Sequence, residues 1–153
     1  MAYIDVITLP DAKVYLRVDD DLTEDDTQII RMINGALSYI EQYTNIYFYA
    51  RDKSYNVIDS CVKVYDYPIN SEVSTYTEKE ILTLHTNYTT DETPLFTLNI
   101  GYVDVDDIPL ELLEVAYTMI KSMYYEKESN KGILDSLDTL SMMTLNQYKR
   151  FII

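Results

Sequence analysis

The stretch ITLPDAKVYLRVDDDLTEDDTQIIRMINGALSYIEQYTN, residues 7–45, decides the fold class of this chain. It predicts a short helix over residues 9–18, with Thr8 as N-cap and Pro10 in the first turn. A second helix is predicted over residues 24–44, after an acidic run, with Thr23 as its N-cap. Two helices joined by an acidic loop therefore open the fold.

The second helix shows the clearest periodicity in the chain. Apolar residues recur at spacings of three and four and form one stripe that should pack against other helices: Ile29, Ile33, Ala36, Leu37, Ile40 and Tyr43. The remaining positions are polar and are expected on the opposite side: Thr27, Gln28, Arg31, Asn34, Ser38, Glu41 and Gln42.

A β insert is predicted over residues 53–102, where the apolar period changes. β-favouring residues from Tyr55 to Tyr65 form a run that Pro68 ends, and further strands are expected over residues 73–77, 81–86 and 95–102. Short strands joined by tight turns favour an antiparallel meander, because parallel strands need long crossovers.

A third helix is predicted over residues 109–127, with Asp107 as its cap. Its apolar arc is wide, which indicates burial on more than one side. In so small a domain, this width suggests burial by something beyond the chain itself, such as a neighbouring subunit. The residues expected at that subunit interface are Tyr117, Met123, Tyr124 and Tyr125.

The expected fold class is α+β: a mainly helical bundle of three to four helices, with a small antiparallel β meander inserted between the second and third helices. Residues 1–138 are expected to form the core domain and residues 139–153 a C-terminal arm. The arm is apolar with a locally positive end, so it either docks onto an acidic partner or packs back on its own bundle. The candidate docking residues are Leu145, Tyr148, Lys149, Arg150, Phe151, Ile152 and Ile153.

The composition of the 153 residues limits the possible functions. Twenty-six acidic against 12 basic side chains give a net charge of -14, which argues against a surface that grips DNA or an anionic membrane. This acidity serves solubility, or it forms a wall past which DNA moves without sticking. The 16 tyrosines fit protein interfaces or simply reflect base composition. We expect no membrane span and no secretory signal.

Residues suited to catalysis or metal binding are scarce. The single cysteine, Cys61, excludes an internal disulfide and suits a reducing compartment, and nothing in the sequence brings it near the single histidine, His85. The acidic runs that begin at Asp19 and Asp104 do not match the calcium-binding EF-hand loop. We therefore expect no enzyme, no catalytic residues, no cofactor and no metal site.

Two stretches resemble the tailed-bacteriophage head–tail connector, or adaptor, family. Residues 7–45 are similar to its N-terminal helix, acidic loop and long helix, through Leu9, Ala12, Lys13, Leu16, Arg17, Val18, residues 19–26, Glu41, Tyr43 and Thr44. Residues 99–128 are similar to its last core helix, through Gly101, Tyr102, Ile108, Pro109, Leu112, Ala116, Tyr124 and Glu126. The resemblance is weaker around residues 67–73. The ending, residues 145–150, is similar to the family's terminal leucine and Tyr-Arg, and the segment before it departs from the family's pattern.

The resemblance implies a structural role in the virion, at the head–tail interface. Such proteins form a ring, commonly of twelve copies, between the portal protein and the next tail component, and DNA passes through the lumen without specific binding. The implied partners are therefore copies of the chain, the portal protein and a downstream tail or second connector protein. The alternative is another virion interaction module, such as a tail-completion or stopper protein, which would lack the paired N-terminal helices with their acidic loop.

Overall fold

The computed structural model describes residues 2–56, 61–70, 82–85, 95–125 and 137–149. These residues form the helices α1 (Tyr3–Val6), α2 (Leu9–Leu16), α3 (Asp26–Thr44), α4 (Leu110–Tyr125) and α5 (Thr139–Tyr148), and a short 3-10 helix, Val105–Asp107. The strands are β1 (Arg51–Asn56), β2 (Cys61–Val64), β3 (Leu82–His85) and β4 (Leu95–Ile100). The α+β class is confirmed, with the antiparallel insert between the two long helices.

The start of α2 agrees with the sequence, and its end comes two residues early. The Thr8 hydroxyl accepts a hydrogen bond from the Asp11 N–H at 3.3 Å and so caps the helix. The helix ends because Arg17 adopts a left-handed conformation with φ of 57°, and the Val18 N–H then bonds to the Lys13 carbonyl at 2.9 Å.

The start of α3 differs from the prediction. Asp25, and not Thr23, is the N-cap: its carbonyl accepts the N–H groups of Gln28 and Ile29, each at 2.9 Å. Thr23 belongs to a preceding turn, in which its carbonyl accepts the Asp26 N–H at 3.3 Å. Residues 24 and 25, which were predicted to lie in the helix, therefore precede it and extend the acidic loop.

The apolar stripe of α3 lies in the core as predicted, and Tyr43 is partly buried at its edge. The prediction for Glu41 was wrong, because this residue is only 4% exposed and lies on the buried side. It follows Leu37 by four residues and precedes the buried Thr44 by three, so it extends the stripe at the end of the helix. Its buried negative charge is compensated by an ion pair with Arg51 and a hydrogen bond from the Phe48 N–H.

The apolar arc of α4 is covered largely by its own chain, since α2, α3 and α5 all pack against this helix. Leu112, Ala116, Met119 and Ile120 are fully buried without a second subunit. The width of the arc, which suggested a neighbouring subunit, is therefore explained largely within one subunit because α5 supplies additional cover, and a subunit interface on α4 stays a prediction. Asp107 is not the cap of α4: it lies in the 3-10 helix, and the Pro109 carbonyl accepts the Leu112 N–H at 3.0 Å.

The described strands pair in a nested antiparallel arrangement. β1 pairs with β4, with Arg51 opposite Ile100, and β2 pairs with β3, with Cys61 opposite His85. A simple meander would instead pair each strand with the next one along the chain. The strand predicted over residues 73–77 lies outside the described residues.

Gly101 closes the insert next to β4 and can only be a glycine. Its φ is +100°, and a Cβ there would lie 2.1 Å from the Tyr49 carbonyl oxygen. Within the described parts of the chain, no helix is long and apolar enough to cross a membrane.

Candidate assembly surfaces

Alternate residues of β1 and of the segment before it form a row that we term the Tyr–cation ladder: Tyr47, Tyr49, Arg51, Lys53 and Tyr55. The Arg51 guanidinium carbon lies 4.3 Å from the ring centroid of Tyr47 and 4.7 Å from that of Tyr49. The Lys53 ammonium lies 4.9 Å from the Tyr47 ring and 5.6 Å from the Tyr55 ring. These distances allow cation–π attraction along the whole row.

Each cation of the ladder is paired with a buried carboxylate. Arg51 forms an ion pair with Glu41, and Lys53 forms one with Asp66 at 2.8 Å. The side chains of Arg51 and Lys53 are nevertheless 29% and 39% exposed. The four charges sum to zero, so the ladder is a locally neutral, half-exposed aromatic surface on a strongly acidic protein.

Glu41 joins the helices to the β insert. Its carboxylate accepts hydrogen bonds from the Tyr3 hydroxyl of α1, the Arg51 guanidinium of β1 and the Phe48 N–H at 2.9 Å. Burial and the hydrogen bond to Glu41 raise the pKa of Tyr3 to about 12. Burial acts to lower the pKa of Arg51, but its hydrogen bonds to Glu41 and Tyr3 raise it overall.

Sequence reasoning placed Glu41 in solvent, although one signal could have corrected it. Glu41 follows Leu37, a predicted core residue, at helical spacing, and Arg51 comes ten residues later, just before the predicted β insert. An acid on an apolar stripe near a potential cation is typical of a buried ion pair.

A second aromatic surface lies on α2 and α4. The rings of Tyr15 and Tyr117 stack with centroids 4.8 Å apart, and those of Tyr124 and Tyr125 meet edge to face at 5.1 Å. The Tyr124 hydroxyl donates to Asp25 at 2.7 Å, and the Tyr125 hydroxyl donates to the Leu16 carbonyl. Tyr125 is 59% exposed. We term Tyr15, Tyr117, Tyr124, Tyr125 and the adjoining acids Asp11, Asp25 and Glu114 the acidic aromatic face.

Nearby carboxylates raise the pKa of two tyrosines on this face. Burial raises the pKa of Tyr117, and the nearby charges of Asp11 and Glu114 raise it further. The hydrogen bond to Asp25 is the main reason that the pKa of Tyr124 is raised. The four residues expected at a subunit interface thus lie between the middle and the C-terminal end of α4. Three of them belong to this face, whereas Met123 packs partly buried against the core. The sequence reasoning missed Tyr15.

The acidic loop beside this face is held by one buried lysine. The Lys13 ammonium donates to the carbonyls of Leu22 at 2.8 Å and Asp20 at 3.1 Å, and it lies 2.6 Å from the Asp26 carboxylate. The carboxylates of residues 19–21 remain exposed. Lys13 therefore fixes the path of the loop while leaving its acidic side chains in solvent.

The described part of the C-terminal arm packs on its own bundle. Leu145 is fully buried, and the Tyr43 hydroxyl donates to the Asn146 side-chain oxygen at 2.7 Å. Tyr148 donates to Glu111 at 3.4 Å, and the Lys149 ammonium lies 4.6 Å from the Tyr43 ring centroid. Three of the seven candidate docking residues thus contact their own subunit here; the others, residues 150–153, lie outside the described residues.

Within the described ranges, no three His, Cys, Asp or Glu side chains are grouped so that they could hold a metal ion. The register of β2 and β3 does place Cys61 opposite His85, a proximity that the sequence did not indicate.

Two solved structures share this fold. One, from the virion of a native gene transfer agent particle, has a TM-score of 0.72 at 10% identity, over 100% of this chain and 94% of that chain. The other, from the neck of an empty gene transfer agent particle computed with C6 symmetry, has a TM-score of 0.68 at 10% identity, over 97% and 92%. No curated protein sequence matches this chain at a significant level.

The sequence profile of the family described as Phage gp6-like head-tail connector protein matches residues 6–150, which is nearly the whole chain. The matched span contains both aromatic surfaces, the acidic loop and α5. The chain therefore belongs to the phage gp6-like head-tail connector family and is a structural protein of the virion at the head–tail interface.

Proposed function

We propose that copies of this chain form a ring between the portal protein and the next tail component, and that DNA passes through the lumen of this ring without specific binding. The observation that carries the proposal is the connector-family match over residues 6–150. The C6 symmetry used for the neck of the gene transfer agent particle, whose fold this chain shares, supports a ring arrangement. By the family resemblance, we propose twelve copies.

The charge of the protein suits a conduit for DNA. Twelve copies with a net charge of -14 each would carry -168 formal charges. Exposed acids such as those of residues 19–21 would repel phosphates wherever they face the lumen. This repulsion acts only within a Debye length of about 8 Å at physiological ionic strength, so it prevents adhesion without stopping passage.

The structure favours this role over that of a tail-completion or stopper protein. The feature expected to separate the two classes is a pair of N-terminal helices with an acidic loop between them. α2, the loop held by Lys13, and α3 supply that feature. The C-terminal residues 148–153 are the segment that we propose for contact with the portal.

Native mass spectrometry of the purified protein, alone and mixed with the portal protein of the same phage, tests the ring. We expect a closed oligomer in at least one of these samples, with portal-bound copies in a fixed ratio. A chain that stays monomeric in both samples and never joins the portal would contradict the proposal.

A further inference from the structure

A closed ring requires two different contact surfaces on each subunit, and our inference rests on the ring proposed as the function of this protein. In a closed ring of more than two copies, each contact joins two different surfaces, one from each neighbour. The described part of the chain carries two half-exposed aromatic surfaces of different charge: the Tyr–cation ladder and the acidic aromatic face.

The two surfaces are well separated in the subunit. Glu41, beneath the ladder, lies near the C-terminal end of α3, and Asp25, on the acidic aromatic face, caps its N-terminal end. Sixteen residues of helix separate them, which corresponds to roughly 24 Å at about 1.5 Å per residue. Each surface is thus placed to meet a different neighbouring copy.

Electrostatics determines which surfaces can meet. Copies with a net charge of -14 repel each other, so a contact between two acidic aromatic faces would add to the repulsion. The ladder is locally neutral, and its two cations are partly open to solvent. A carboxylate such as Glu114 or Asp25 from another copy therefore meets no net negative charge there, and it can approach the exposed parts of Arg51 and Lys53.

The residue types also suit a protein contact. Tyrosine and arginine are enriched among the residues that carry binding energy, because they bury a large rigid area and keep a polar group to pair. The ladder supplies three tyrosines and an arginine, and the acidic aromatic face supplies four tyrosines, among them the 59% exposed Tyr125. We propose that the acidic aromatic face of one copy docks on the Tyr–cation ladder of the next copy, and that this head-to-tail contact closes the connector ring.

Two variants each disable one surface. The ladder variant combines Lys53→Glu with Asp66→Lys, which keeps an ion pair inside the subunit and the net charge unchanged but places a carboxylate at the exposed position. The face variant combines Glu114→Lys with Tyr125→Lys. Ser54→Glu is the matched control, because it puts a carboxylate on the opposite, exposed face of the same strand.

The mixing of these variants is the decisive experiment, read by native mass spectrometry under the conditions in which the wild-type protein assembles. Each variant alone should remain monomeric, with self-association weaker by on the order of tenfold or more. An equimolar mixture should yield a heterodimer and no ring, because a single intact pair of surfaces remains. The Ser54→Glu control should assemble like the wild type.

The other outcomes separate the two proposals. If the wild type forms rings and either variant alone also does, or if the mixture yields no heterodimer, the head-to-tail contact is overturned while the connector ring stands. If the wild type forms no ring with or without portal, the proposed function itself fails. Thermal unfolding by circular dichroism verifies that each variant folds, and Lys53→Gln replaces the ladder variant should that one fail to fold.

Discussion

The side chain of Glu41 shows how one residue can determine the junction between two parts of a fold. Its carboxylate accepts hydrogen bonds from α1, from β1 and from the Phe48 N–H. A buried carboxylate is costly unless it is paired and hydrogen-bonded, and here all the required donors are present. Removal of the carboxylate would leave the Phe48 N–H without its acceptor and Arg51 without its counter-charge.

We expect Glu41→Leu to lower the free energy of unfolding by about 2–3 kcal/mol. This is at or below the lower end of the range for breaking a buried ion pair, because Arg51 is partly exposed and can regain water. Urea denaturation followed by circular dichroism measures the loss. Asp52→Ala, which removes an exposed carboxylate from the neighbouring position on β1, should change the stability by less than about 0.5 kcal/mol. Equal effects of the two substitutions would show that Glu41 does not stabilise the junction between the helices and the β insert.

At the scale of secondary-structure elements, the features that could be predicted from the sequence are those that local signals determine. Thr8, Pro10 and the stripe of α3 located two helices to within about two residues. The pairing of β1 with β4 was not predictable, because it joins strands that are nearly 40 residues apart and no local pattern encodes such a partner. The acidic aromatic face was predicted in part from α4, but Tyr15 joins it only through tertiary packing.

The helix α5 was also missed, for a physical reason. Its apolar residues do not form a clean stripe, so the sequence predicted no helix there and left open whether the segment docks onto a partner or packs back on its own bundle. Asp138 caps it, accepting the Ser141 N–H at 2.7 Å, and this hydrogen bond lowers the pKa of Asp138. Packing of Leu145 between α3 and α4 then outweighs the weak amphipathicity.

Two substitutions in α5 test whether this helix belongs to the subunit core. Leu145→Ala removes a fully buried side chain and should lower the free energy of unfolding by about 2–5 kcal/mol, because burial is lost and a cavity remains. Leu140→Ala, in the same helix but 72% exposed, should cost less than about 0.5 kcal/mol. Chemical denaturation of both variants measures the two changes in the free energy of unfolding. A neutral Leu145→Ala would instead show that α5 leaves the bundle in solution and is available for the portal.

At the scale of the whole molecule, tyrosine hydroxyls supply hydrogen bonds to carboxylates, a role that lysine and arginine usually fill. The chain has 26 acidic residues and only 12 basic ones, so most carboxylates have no cation to pair with. Tyrosine hydroxyls donate to Asp25 and Glu111, and they add a further donor to Glu41 and Asp66, which also pair with Arg51 and Lys53. The abundance of tyrosine thus stabilises the subunit from within, in addition to any role at interfaces. Sequence reasoning considered interfaces and base composition but not this third explanation.

Reliance on tyrosine as a donor makes the fold sensitive to alkaline pH. Burial and Glu41 raise the pKa of Tyr3 to about 12, and burial together with Asp66 raises the pKa of Tyr55. The folded state therefore holds these protons more tightly than the unfolded chain, whose tyrosines titrate near pH 10. The stability that they contribute is fully present below about pH 10 and is lost as the pH rises from there through about 12.

We expect the urea midpoint to be nearly constant from pH 8 to about 9.5 and to fall steeply above pH 10. Tyr3→Phe should lower the midpoint at pH 8, since a hydrogen bond to a charged group contributes about 1.5–3 kcal/mol. The same substitution should make the fall above pH 10 shallower, because one tightly held proton has been removed. Tyr15→Phe is the control, because its ring stacks on Tyr117 and, within the described residues, its hydroxyl forms no hydrogen bond with a carboxylate. A wild-type midpoint that is flat to pH 12, or a Tyr3→Phe variant whose alkaline slope equals that of the control, would show that tyrosine–carboxylate hydrogen bonds do not hold this acidic subunit together.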